Sequence, residues 1–153
     1  MRIRISNFHN LILTTLATFF FVAVAQGARQ AEPALGEWPV YGGDLGSTRY
    51  SPLDQIDASN VADIEIAWRW SARNFGPVPE NNYRTTPIMV GGVLYATAGS
   101  RRAIVAIEAA TGETLWVYRI DEGDRGARAP RINSGRGVAY WDGGGGNEAQ
   151  IFY

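Results

Sequence analysis

The stretch from Pro87 to Ile120 constrains the fold most, because it sets four short β-prone runs between tight-turn signals. Pro87 to Val90 and Val93 to Thr97 are separated by Gly91-Gly92, a two-residue hairpin signal, since glycine takes the positive φ that such turns require. Ala103 to Ile107 and Thr114 to Ile120 follow, with Thr111-Gly112 in the turn between them. Runs this short, joined this tightly, predict one all-β antiparallel meander: a propeller blade or a piece of a sandwich.

An internal echo favours the propeller. Gly92-Val93-Leu94-Tyr95 recurs 45 residues later as Gly137-Val138-Ala139-Tyr140, within the ~40–50-residue period of propeller blades. Each copy leads through a turn-rich stretch to a second apolar run, Ala103 to Ile107 in one and Gln150 to Tyr153 in the other. Upstream, Ile64, Ile66, Trp68 and Trp70 alternate with Glu65, Ala67 and Arg69, which predicts a strand with its large apolar groups on one face. Residues 57–63 predict one short helical turn capped by Asp57 or Ser59. Residues 39–53, crowded with turn formers and aromatics, predict a loop packed over a larger body.

The N-terminus has a different composition. Arg2 and Arg4 precede an apolar run from Leu11 to Ala25 that is too short to span a bilayer and ends in the small residues Ala23-Val24-Ala25. This predicts a signal peptide over residues 1–25, cut after Ala25 with Ala28 as the second site, and a flexible leader over 26–35. The expectation is export to the periplasm, with membrane association left open. Losing two arginines and no acids takes the formal net charge from −1 to −3, which speaks against a nucleic-acid partner. There is no Cys, and the sole His, His9, lies in the signal. The mature chain therefore builds no Ser-His-Asp triad, Cys nucleophile or Cys/His zinc site from its own residues.

Residues 106–116 read Ala-Ile-Glu-Ala-Ala-Thr-Gly-Glu-Thr-Leu-Trp. An acidic side chain and Thr111 can hydrogen-bond such a turn, Gly112 supplies positive φ, and Trp116 falls on the next strand with its ring free to lie against a neighbouring blade. The segment resembles the tryptophan-docking motif of pyrroloquinoline-quinone (PQQ) propellers, Ala-x-Asp-x-x-Thr-Gly-x-x-x-Trp, with Ala106, Glu108, Thr111, Gly112 and Trp116 at the motif positions and Glu108 in place of Asp. Tyr50 to Ile56, Asn60-Val61, Ala67-Trp68 and Thr86-Pro87 extend the resemblance to PQQ-dependent alcohol and glucose dehydrogenases over roughly residues 36–153.

That resemblance implies an eight-bladed propeller, PQQ near its axis and calcium beside the quinone. It also implies oxidation of a small alcohol or sugar, with electrons passed to a quinone or cytochrome. Arg136 matches an arginine that contacts PQQ in the family. Arg84 stands where the family often has an acidic cofactor contact, and Pro130-Arg131 stand where many alcohol dehydrogenases have adjacent cysteines; both departures point toward the glucose-dehydrogenase-like branch. The alternative function is a cofactor-free propeller scaffold of the outer-membrane assembly type, whose lipoprotein needs a cysteine after the signal. Eight blades of ~45 residues exceed 153 residues more than twofold, and Ile151-Phe152-Tyr153 ends on an apolar run. The expectation is a partial propeller with an exposed edge, inactive alone, binding neither PQQ nor calcium by itself, with no catalytic or metal-ligating residue of its own.

Overall fold

The computed structural model describes residues 36–76, 79–80, 82–100, 102–130 and 133–153. The expected signal, 1–25, and leader, 26–35, lie outside them. The four runs form the strands β1 (Ile88–Val90), β2 (Val93–Ala98), β3 (Ala103–Glu108) and β4 (Thr114–Tyr118). They pair antiparallel in the order β1-β2-β3-β4, the meander the turn signals predict. A short helix, α1 (Gly123–Arg128), leads to a second antiparallel pair, β5 (Ala139–Trp141) and β6 (Gln150–Phe152), so the 45-residue echo marks corresponding hairpins.

β3 is buried on both faces of the four-stranded sheet, which is why Ala103 to Ile107 reads as a continuous apolar run, while β4 is largely exposed. Directly opposed residues share a face, and the register puts Leu94, Ala96 and Ala98 with Ile107, Val105 and Ala103 on one of them. Trp68, Trp70, Ala72 and Phe75 pack on that face, with the Trp70 and Phe75 rings 4.9 Å apart. The other face carries Ile88, Tyr95, Thr97, Ile104 and Ala106 and meets the segment that precedes β5. On the outer side of β1, Trp38 exchanges two 2.9 Å backbone hydrogen bonds with Met89. Glu37 accepts a bond from Gly91 N, tying the loop around Trp38 to the hairpin turn.

Two expectations change here. Ile64 to Trp70 joins no ladder; it runs irregularly, with only Trp68 and Trp70 reaching the core while Ile64 and Ile66 stay 57% and 65% exposed. The two indoles are held by their own N–H donors, from Trp68 to Ala109 O at 3.0 Å and from Trp70 to Thr114 Oγ1 at 2.9 Å. Side-chain anchoring thus replaces strand pairing. The helical turn forms as one 3-10 turn, Val61–Asp63, without a side-chain cap. Asp57 instead accepts bonds from the Ser59 N–H and hydroxyl, a turn within the preceding loop.

Candidate functional site

The docking turn follows the chemistry its residues predict, through a relay. Thr111 donates its hydroxyl to the Glu108 carboxylate and accepts from Glu113 N at 3.2 Å, while Gly112 N bonds Glu108 O at 2.9 Å. Gly112 sits at φ +76°. It also lies under the Trp68 ring, where an added Cβ would come within 2.6 Å of the indole, so the position excludes a side chain for a second reason.

Trp116 is on β4 as expected, 42% exposed, and it leans on Tyr95 of its own sheet with ring centroids 5.9 Å apart. The register explains this contact. Tyr95 and Trp116 both oppose Ala106, so the smallest side chain of the motif leaves the gap across which the two rings meet. Among the described residues the Trp116 indole N–H has no partner. Replacing Ala106, fully buried, by Leu overfills that gap and should destabilise the fold by about 1–3 kcal/mol, read as a lower urea midpoint with unchanged slope. An unchanged midpoint would mean the rings do not close over Ala106.

Arg136 lies in the segment before β5, and three successive backbone groups of that segment are fastened to three different parts of the chain. Ser134 N donates to Glu80 Oε1 at 2.9 Å, Gly135 O accepts from the Thr97 hydroxyl at 3.0 Å, and Arg136 O accepts from Thr86 N at 2.9 Å. Thr97 is 1% exposed, and its hydroxyl also lies 2.9 Å from Thr85 Oγ1. The guanidinium of Arg136, in contrast, makes no hydrogen bond or ion pair with the described residues; the ion pair found among them is Arg102–Glu122 at 3.4 Å.

Arg136 lines an open groove of about 430 Å³ with Tyr41, Ile88, Val138, Phe152 and Tyr153. A cation set among aromatic and aliphatic walls suits an anionic ring system. The Ser134 hydroxyl, two residues away, is a buried polar atom with no hydrogen-bond partner among the described residues. The planar guanidinium of Arg136 fits a planar, oxygen-rich, carboxylated cofactor such as the one the family resemblance implies. Partial burial and then the Glu80 carboxylate push the Tyr83 phenol up to about 12. Burial, and secondarily Tyr140, also raises Tyr95. Arg84 is exposed and its Nε donates to Asn82 at 2.8 Å.

Sequence reasoning singled out Arg136 and the docking turn, 20 residues or more apart in the chain. The structure keeps them in separate places: the turn caps the β3–β4 hairpin under Trp68, and Arg136 lies against Thr86. It missed Glu80, Thr85 and Thr97, polar residues whose partners are 12 to 54 residues distant. No local motif marks them.

A family model described as "PQQ: Glucose/ethanol/alcohol dehydrogenase, beta-propeller domain" matches residues 38–153. The crystal structure of the quinohemoprotein alcohol dehydrogenase from Comamonas testosteroni is similar, with TM-score 0.59 and 35% identity over 75% of this chain and 16% of that one. The dehydrogenase subunit of an alcohol dehydrogenase (quinone) from Gluconobacter oxydans is 37% identical over 109 residues, 71% of this chain and 14% of that protein. The glycerol dehydrogenase large subunit from Gluconobacter thailandicus is 35% identical over 96 residues, 61% of this chain and 13% of that protein. The chain thus spans less than a fifth of the length of these relatives. With its four-stranded blade, its docking turn and a match across nearly all the described residues, the chain belongs to the PQQ dehydrogenase β-propeller family.

Proposed function

We propose that these residues form part of the cofactor-binding propeller of an exported, periplasmic PQQ-dependent oxidoreductase that acts on the CH–OH group of an alcohol or sugar. Electrons then pass to a quinone or cytochrome acceptor. The observation that carries this reading is Arg136, whose guanidinium is unpaired among the described residues and which lines an aromatic-walled groove while the backbone on its N-terminal side is pinned. Relatives named for alcohol and glycerol oxidation support a small hydroxylated substrate. Arg84 and Pro130-Arg131, where alcohol-oxidising members often differ, favour a sugar or polyol over a simple alcohol.

When bound, PQQ supplies a two-electron acceptor for the oxidation of the hydroxyl-bearing carbon. Arg136 would hold one of its carboxylates or a quinone oxygen through the guanidinium fork, orienting the ring in the groove. Arg84 places a second positive charge in the strand-leading segment that pairs with Arg136 through Thr86. Among the described residues no three His, Cys, Asp or Glu cluster to hold a metal, so none of them is assigned to calcium.

In the full-length protein that carries this segment, Arg136→Ala should weaken PQQ uptake by the apoenzyme about 10–100-fold, the worth of one charge-assisted contact. Arg136→Lys should recover only part of that, because a point charge lacks the fork. The measurement is a titration of PQQ followed by tryptophan fluorescence. Equal affinity in Arg136→Ala would remove Arg136 from the cofactor site.

A further inference from the structure

We infer that Glu80 is the positioning residue of the Arg136 site: its carboxylate clamps the segment that presents the guanidinium to the β2–β3 turn of the sheet. One oxygen, Oε2, accepts from Gly99 N at 2.7 Å, and the other, Oε1, accepts from Ser134 N at 2.9 Å. These donors lie 19 and 54 residues from Glu80, so one side chain ties together three stretches of chain that no strand pairing connects. Both bonds use a charged acceptor on backbone N–H groups, the stronger class of hydrogen bond. Both contacts are partly buried, where water competes less for the donors.

The placement is what gives the clamp its consequence. Ser134 is two residues before Arg136, and the bonds of Gly135 O to Thr97 and of Arg136 O to Thr86 continue the fastening without a break. The chain direction at Arg136 is therefore fixed from the N-terminal side by Glu80. A guanidinium on a long side chain binds a rigid anion well only if its backbone does not wander, since each ordered rotor and each loose loop subtracts from affinity. Among the described residues Glu80 does not line the groove and makes no hydrogen bond or ion pair with the guanidinium, so it acts through Arg136. The cofactor half of this inference rests on the reading of Arg136 above; the clamp itself does not.

Two measurements test it. Amide hydrogen exchange on the full chain should show Ser134 and Gly99 exchanging about 10–100-fold faster in Glu80→Ala, with β2 and β3 unchanged. In Glu80→Gln, which keeps a single acceptor oxygen, only one of the two amides should accelerate. A double-mutant cycle then measures PQQ uptake by the full-length apoenzyme. Glu80→Ala should weaken uptake about 10-fold with Arg136 present and less than about 2-fold in the Arg136→Ala background. Unchanged exchange at Ser134 overturns the clamp, and so does loss of protection spread evenly over the sheet. Additive effects in the cycle overturn the positioning role. If the wild-type apoenzyme takes up no PQQ, the cofactor reading falls, and with it the positioning role, while exchange at Ser134 still decides the clamp.

Discussion

Gly99→Ala should destabilise the fold by about 4 kcal/mol, a drop of roughly 15–25 °C in Tm, whereas Gly91→Ala should cost only about 1 kcal/mol. The two glycines have nearly the same backbone conformation, φ +71° and +60°. The strain of placing a methyl group at positive φ is therefore common to both. Their surroundings differ. An added Cβ at Gly91 meets nothing within 4 Å, but at Gly99 it would lie 1.8 Å from the carbonyl oxygen of Phe75. Backbone cannot swing aside as a flexible side chain does, so the 72–76 segment must retreat from the sheet. That retreat loosens Phe75 from Trp70 and pulls Gly99 N from Glu80. Urea titration of both variants isolates the packing contribution as their difference. A difference below about 1 kcal/mol would show that Phe75 does not press on the β2–β3 turn.

The elements that were legible in the sequence are those specified by neighbours in the chain. Gly91-Gly92 and Thr111-Gly112 each name a turn type, and the runs on either side are too short to be anything but strands, so β1 to β4 and their order follow. The docking turn is legible for the same reason: Glu108, Thr111 and Glu113 bond within six residues. What was hidden is specified at a distance. α1 contains Gly123 and Gly126, which read as breakers, yet Gly126 is buried in the helix. Trp116 reads as a ring awaiting a neighbouring blade. Its contact with Tyr95 depends on the register that sets Ala106 between them, which periodicity does not give. Arg136 was found by resemblance, while the residues that hold its segment, Glu80 and Thr97, look like ordinary polar positions until the fold brings their partners near.

The alternation of Ile64, Ile66, Trp68 and Trp70 is the sharpest case, and it yields the second large effect. If the four residues shared one face of a paired strand, truncating any of them would cost a comparable amount of burial. The structure instead puts the stabilisation on the indoles. Trp68 packs on the Ala96, Ala98, Val105 and Ile107 cluster, covers Gly112, and donates to Ala109 O across 41 residues of sequence. Trp68→Ala should therefore cost about 3–5 kcal/mol, the range for a large aromatic removed from a packed site. Trp68→Phe keeps most of the apolar contact and gives up the N–H donor, so about 1 kcal/mol should be lost, the net worth of a neutral hydrogen bond. This milder variant keeps the comparison measurable even if the alanine variant unfolds. Ile66→Ala, at a side chain 65% exposed, should stay within about 0.5 kcal/mol of the parent. Denaturant midpoints of the three variants rank the residues directly. An Ile66→Ala loss as large as that of Trp68→Phe or larger would mean that residues 64–70 act as one strand with one buried face. The steep order Trp68→Ala, Trp68→Phe, Ile66→Ala would show that this stretch is held by tryptophan N–H donors and ring packing on the docking turn, with no ladder required.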